Sequence, residues 1–213
     1  MVLRCCARDE RGPLQRGAGA RVFAVVSWQT AIMGTGLGGG CYVGGVLNRG
    51  THYLANQIGH IPLAADGKLC SCGMRGCLEP YVNAAALVSY AGNSHTTAAQ
   101  VIAAANAGEQ KANEALRTLA RHLARGCATL VALLDPQALI LGGGLIENNP
   151  VLITVLSEEL MQLVRPSENR ALRVIPSELG YYGGVLGAAA LAFEHTFDST
   201  PDRRDRVEAE LRA

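Results

Sequence analysis

The chain has no run approaching the roughly 18 consecutive apolar residues of a membrane-crossing helix. Its first residues carry Arg4, Arg8, Asp9, Glu10 and Arg11 where a secretory leader would need an apolar stretch. Both absences lead us to expect a soluble, cytoplasmic protein with no membrane partner. A charge excess is lacking too: 19 Lys and Arg stand against 18 Asp and Glu, a net charge of +1. That balance supplies no general electrostatic attraction for nucleic acid or anionic lipid, so no nucleic-acid partner is expected. There is no internal repeat and no low-complexity linker. What the 213 residues do hold is apolar material, 49% hydrophobic against 17% charged. This is enough for a sizeable core and too much for a disordered chain. The length is long for one domain of about 100 to 200 residues and short for two, so one large lobe or a trimmed two-lobe protein is expected.

Seven cysteines are present, and three crowd into eight residues as Cys70, Cys72 and Cys77. An odd count with this clustering suits a metal site in a reducing compartment better than a disulfide framework. With His60 just upstream, the set offers one imidazole and three thiolates, which satisfy a tetrahedral zinc ion and leave no open position. The expected metal is therefore structural, stiffening a loop that Gly73 and Gly76 allow to fold back. A nucleic-acid zinc finger would need a basic recognition helix, whereas this loop is short and leads into the acidic Glu79. Cys41 and Cys127 lie in apolar surroundings and are expected in the core.

Glycine is the main punctuation, 25 residues gathered around 34–50, 142–144 and 180–187. The first cluster, Gly34, Thr35, Gly36, Leu37, Gly38, Gly39 and Gly40, could form a turn whose N–H groups cradle a phosphate. A glycine-rich hairpin between two strands would carry the same residues. Residues 96–135 repeat Leu, Ala and Cys at spacings of three and four, which predicts two helices, the second long and ending at Asp135 and Pro136. Ala138 to Leu141, the glycines 142–144 and a helix from Pro150 to Val164 form a strand, turn and helix unit. Leu172 to Ile175 predicts another strand, and Gly183 to Phe193 a small-residue helix. From residue 34 onward the chain reads as α/β.

The stretch 34–81 resembles the signature of the ROK family of sugar kinases and sugar-responsive repressors. Its elements here are GTGLGGG (34–40), Arg49 and Gly50, NQIGH (56–60) and CSCGMRGCLE (70–79). LDPQALILGGG (134–144) and LGYYGGVLGAAALA (179–192) continue the likeness. The resemblance implies an actin-like ATPase (ribonuclease H-like) fold, represented mainly by its C-terminal lobe, that transfers the γ-phosphoryl group of ATP, with Mg, to a sugar hydroxyl. By position, Gly34, Thr35, Gly36 and Gly38 would line the phosphates, and Gly142, Gly143 and Gly144 would flank the adenosine. Gln57, His60 and Glu79 would face the sugar, with His60 also joining Cys70, Cys72 and Cys77 around the zinc. A homo-oligomer is implied in the same way.

Two departures stand out. Gln57 occupies a position where the family usually has Glu, exchanging an anionic acceptor for an amide. Residues 1–32 match the family poorly: the DxGGTxxxA loop and the DxNAAA motif that carries the catalytic aspartate have no counterpart. Asp9 lies at a suitable distance before Gly34, but its neighbours do not fit. VNAAAL (82–87) lacks the aspartate and reads as the start of an ordinary helix. Ser27 to Ile32 reads as extra sequence wedged before the glycine loop. The expected organisation is an atypical segment 1–32, a kinase-like lobe 33–194 and a polar tail 195–213. Without the aspartate to serve as base, no turnover by this chain alone is expected. A sugar-binding repressor domain is the alternative, disfavoured because no helix-turn-helix pattern precedes Gly34.

Overall fold

The structure, a computed structural model, describes residues 21–28, 36–43, 46–147, 149–164, 172–179, 182 and 185–189. Five strands form one sheet: β1 (Arg21–Trp28), β2 (Gly36–Val43), β3 (Val46–Leu47), β4 (Ala138–Gly142) and β5 (Arg173–Pro176). Their spatial order is β3-β2-β1-β4-β5. The first three run antiparallel in sequence, while β4 and β5 lie parallel to β1. An antiparallel hairpin can close over a short loop, but a parallel neighbour needs a crossover. Residues 48–137 supply it between β1 and β4.

That crossover carries α1 (Glu79–Val82), α2 (Ala84–Ala91), α3 (Ala98–Asn106) and α4 (Gln110–Leu134), and α5 (Pro150–Leu163) follows β4. The two helices expected within 96–135 are thus present. Helix α4 buries Ala112, Leu116, Leu119, Leu123, Cys127 and Leu130 along one stripe, as the spacing of three and four requires. It stops where Asp135 enters the left-handed region at φ 43°, just before Pro136, which cannot continue a helix. Strand β4 is buried along its whole length, as a central parallel strand of continuous apolar residues should be. Asn83 caps α2, its side chain accepting from the Ala86 amide at 2.8 Å. VNAAAL is therefore an ordinary helix start.

Cys41 and Cys127 are buried, each 1% exposed, as expected. No helix among the described residues is long and apolar enough to cross a membrane. The sequence reading needs two corrections. Gly36 to Gly40 do not form a turn; they are strand residues in register with β1, Gly36 opposite Trp28 and Gly40 opposite Ala24. Of the stretch 27–32 expected to be wedged in, Ser27 and Trp28 are instead the last residues of β1, the middle strand of the sheet, and residues 29–32 lie outside the described residues. Within 36–40 only Leu37 carries a side chain, so there is almost no side-chain pattern to read, and the pairing is set by the partner strand. Residues 185–189 are helical; the rest of the expected closing helix and the tail from 196 lie outside the described residues.

Candidate functional site

The cysteine loop folds back on itself through backbone bonds. Leu63 N–H donates to Gly76 O at 2.7 Å, Cys70 N–H to Met74 O at 2.8 Å and Gly76 N–H to Lys68 O at 2.9 Å. Gly76 sits at φ 77° with Ala64 O against its α-carbon, so neither backbone nor space admits a side chain. A 3-10 turn over Ile58–His60 brings His60 to the same place. One ligand atom from each of His60, Cys70, Cys72 and Cys77 lies within 4.8 Å of all the others. Cys70 Sγ is 3.7 Å from His60 Nδ1, and Cys72 Sγ is 3.7 Å from Cys77 Sγ.

Zinc–sulfur bonds of about 2.3 Å in a tetrahedron put neighbouring ligand atoms about 3.8 Å apart, so the donor set fits zinc in size and in chemistry. Burial, with help from Cys72 and Cys70, pushes the Cys77 thiol up to about 11. The Met74 backbone lowers the Cys72 thiol, aided by Cys70 and Cys77. Three thiols this close cannot all ionise without a cation among them, and a bound metal would reverse the trend.

Glu79 starts α1 two residues after the last cysteine. Its carboxylate accepts from the Leu37 amide of β2 at 2.8 Å through Oε2 and from the Ser71 hydroxyl at 3.2 Å through Oε1. A side chain at Gly36 would stand 2.9 Å from that Oε2, so the glycine strand is what lets the carboxylate approach. Leu78, 1% exposed, anchors the loop from behind: its δ-carbons fill the space a side chain at Gly126 of α4 would take.

The two glycine clusters flank β1 at the same level of the sheet. Gly38 and Gly142 are both paired with Val26, one on each side of β1. Both therefore lie at the carboxyl ends of the parallel strands, where open α/β sheets bind ligands. Beyond Gly142, Asn149 caps α5, accepting from the Leu152 amide at 3.1 Å. Gln57 is exposed beside the 3-10 turn. Gly34 and Thr35 lie outside the described residues. Sequence reasoning missed Leu37, Ser71 and the Leu78–Gly126 contact; the one available signal was a glycine in the middle of an otherwise strong helix pattern.

The sheet order, with a strand hairpin on one side of β1 and parallel strands on the other, is that of the actin-like ATPases. The structure matches the ROK family glucokinase from Streptomyces griseus, solved with glucose and AMPPNP, with a TM-score of 0.72 and 31% identity over 81% of this chain and 60% of that one. The chain belongs to the ROK family, whose profile matches residues 23–195. That match begins within β1, ten residues before the boundary expected from the sequence. The chain is 36% identical over 183 residues to a glucokinase of Streptomyces coelicolor, covering 76% of this chain and 58% of the relative. It is 28% identical over 170 residues to a xylose repressor of Bacillus spizizenii, covering 79% of this chain and 44% of the relative. The chain thus spans about half the length of the curated relatives it matches.

Proposed function

We propose that this chain forms the C-terminal lobe of an ATP-dependent sugar kinase of the hexose or N-acetylhexosamine class. The observation that carries the reading is the position of Glu79, whose one carboxylate touches both the glycine strand and the cysteine loop. A sugar held there lies between the cysteine cluster and the end of the sheet where the two glycine clusters flank β1.

In this reading Glu79 accepts hydrogen bonds from sugar hydroxyls with the lone pairs that Leu37 and Ser71 leave open. His60 packs against the sugar, and Gln57 contributes an amide. Gly34, Thr35, Gly36 and Gly38 receive the phosphates of ATP with its Mg, and Gly142, Gly143 and Gly144 flank the adenosine. Zinc would be held by His60, Cys70, Cys72 and Cys77. With all four positions filled by protein, it supplies rigidity and no open position for a substrate. Phosphoryl transfer also needs a base for the attacking hydroxyl. No residue of this chain matches the family's DxNAAA aspartate, so we assign it sugar and nucleotide binding and no turnover by itself. The cytoplasm is its proposed compartment, and a homo-oligomer its proposed assembly.

The test combines zinc quantitation, calorimetric titration with glucose, N-acetylglucosamine and N-acetylmannosamine, and a coupled ADP-release assay. The expected result is one zinc per chain, binding of one sugar that Glu79→Ala abolishes, and no ADP release. Sugar-dependent ADP release lost in Asp9→Ala would overturn the account of the base. The repressor similarity supports a second reading, a sugar-sensing effector domain. Sugar binding with no affinity for AMPPNP would favour it.

A further inference from the structure

We infer that Ser71 is a positioning residue that carries metal occupancy of the cysteine cluster to Glu79, and through it to the glycine strand. The inference deepens the proposed function and rests on it for the role of Glu79 as a sugar ligand. Ser71 stands between two of the four metal-cluster residues, Cys70 and Cys72. Its hydroxyl has one proton to give and two acceptors in reach, the Glu79 carboxylate at 3.2 Å and Cys70 Sγ at 3.9 Å. The carboxylate is the shorter contact and the stronger acceptor, so the proton goes there.

The other carboxylate oxygen holds the Leu37 amide. Strand β3 pairs only with Tyr42 and Val43, so at Leu37 no further strand lies beyond β2 among the described residues. The carboxylate takes the place of a strand partner at that amide. A chain of two hydrogen bonds thus runs from the cysteine loop through Glu79 to β2.

Binding all four ligand atoms to one ion fixes the backbone on both sides of Ser71, which fixes the hydroxyl and with it the torsion of the Glu79 carboxylate. Without the ion, the loop relies on its own backbone bonds, and the carboxylate loses one of its two restraints whenever the loop moves. Alanine at 71 would remove that restraint with all four ligands in place. Threonine keeps the hydroxyl and should restore it.

The readout is amide hydrogen exchange of Leu37 by NMR, with Leu116 and Leu119 of α4 as internal references. In zinc-loaded S71A, Leu37 should exchange about three- to tenfold faster than in wild type, the effect of losing one restraint on a charged acceptor. Zinc content and the reference amides should stay unchanged, and S71T should return to the wild-type rate. Chelation of wild type should speed Leu37 as S71A does, and chelation of S71A should add little. An unchanged Leu37 rate in zinc-loaded S71A would overturn the link. If chelation moves the reference amides too, the zinc-loaded S71A and S71T pair decides the matter. Failure of wild type to bind any sugar, with the Leu37 response intact, would refute the proposed function and leave the link standing.

Discussion

Replacing Leu78 by Ala, alone and together with Gly126→Ala, tests how the cysteine loop is held to the body of the protein. Leu78 joins Cys77 to Glu79, is 1% exposed and lies in the notch left by Gly126. Losing three carbons from this site costs about 2.4 kcal/mol at about 0.8 kcal/mol per buried carbon. A residual void of about 40 Å³ adds about 1 kcal/mol, for a total of about 3 kcal/mol. Gly126→Ala gains about 1 kcal/mol of helix propensity but forces Leu78 out of its seat at about 2 kcal/mol, a net loss of about 1 kcal/mol. In the double variant the new methyl enters the space Leu78 has left, so the clash disappears and the propensity gain remains. The expected loss is about 2 kcal/mol, where simple addition gives about 4 kcal/mol. Urea unfolding followed by circular dichroism, with equal m-values, measures all four proteins. Zinc content measured alongside separates lost packing from lost metal. Losses that add to within about 0.5 kcal/mol would refute the notch argument.

Three further outcomes follow from the geometry. Asn149 is 1% exposed; besides capping Leu152 it donates to Leu145 O at 3.1 Å. N149A should cost about 2 kcal/mol and N149D, which keeps the cap but loses the donor, about half of that; equal stability of all three in urea would contradict this. In metal-free protein at pH 8, alkylation mapped by mass spectrometry should strike the exposed Cys72 first among the described cysteines. Cys77, pushed up to about 11, should react later, and Cys127, pushed up to about 12 by burial, only on unfolding. Ready modification of Cys127 in folded protein would show that its burial is wrong. His122 packs between the Tyr81 and Tyr90 rings with Nδ1 buried and unpartnered, and burial, then Arg125 and Lys68, lowers its pKa. The unfolded chain therefore binds a proton more readily, so this group's contribution is whole above the ordinary value of 6.5 and is lost as pH falls below it. The stability difference between wild type and H122N should shift with pH only below that value; a pH-independent difference would remove His122 from the account.

Much of the fold was legible because its signals are local. The stripe of α4, the Asp135–Pro136 stop, the apolar run of β4 and the Pro150 helix start each lie within a few residues of the structure they specify. The grouping of His60 with the three cysteines was legible for the same reason, since three thiols in eight residues can hardly avoid one another. For Gly36 to Gly40 the sequence leaves a turn and a hairpin between two strands both open, because glycine satisfies turn and strand alike. Only pairing with β1 chooses between them, and β1 ends in residues that looked like an insertion.

By itself the sequence determined the α/β class, the long helix, the cluster of one histidine and three cysteines and the family. These rest on periodicity, on capping chemistry or on motifs of short span. Tertiary structure alone decided that Gly38 and Gly142 share a row of the sheet through Val26, and that Leu78 needs a glycine 48 positions later. It also decided that Glu79 reaches back 42 residues to the Leu37 amide. The physical reason is the same in each case. A contact between distant segments is chosen by which surfaces the folded sheet and helices leave free to meet, and no short stretch of sequence contains both.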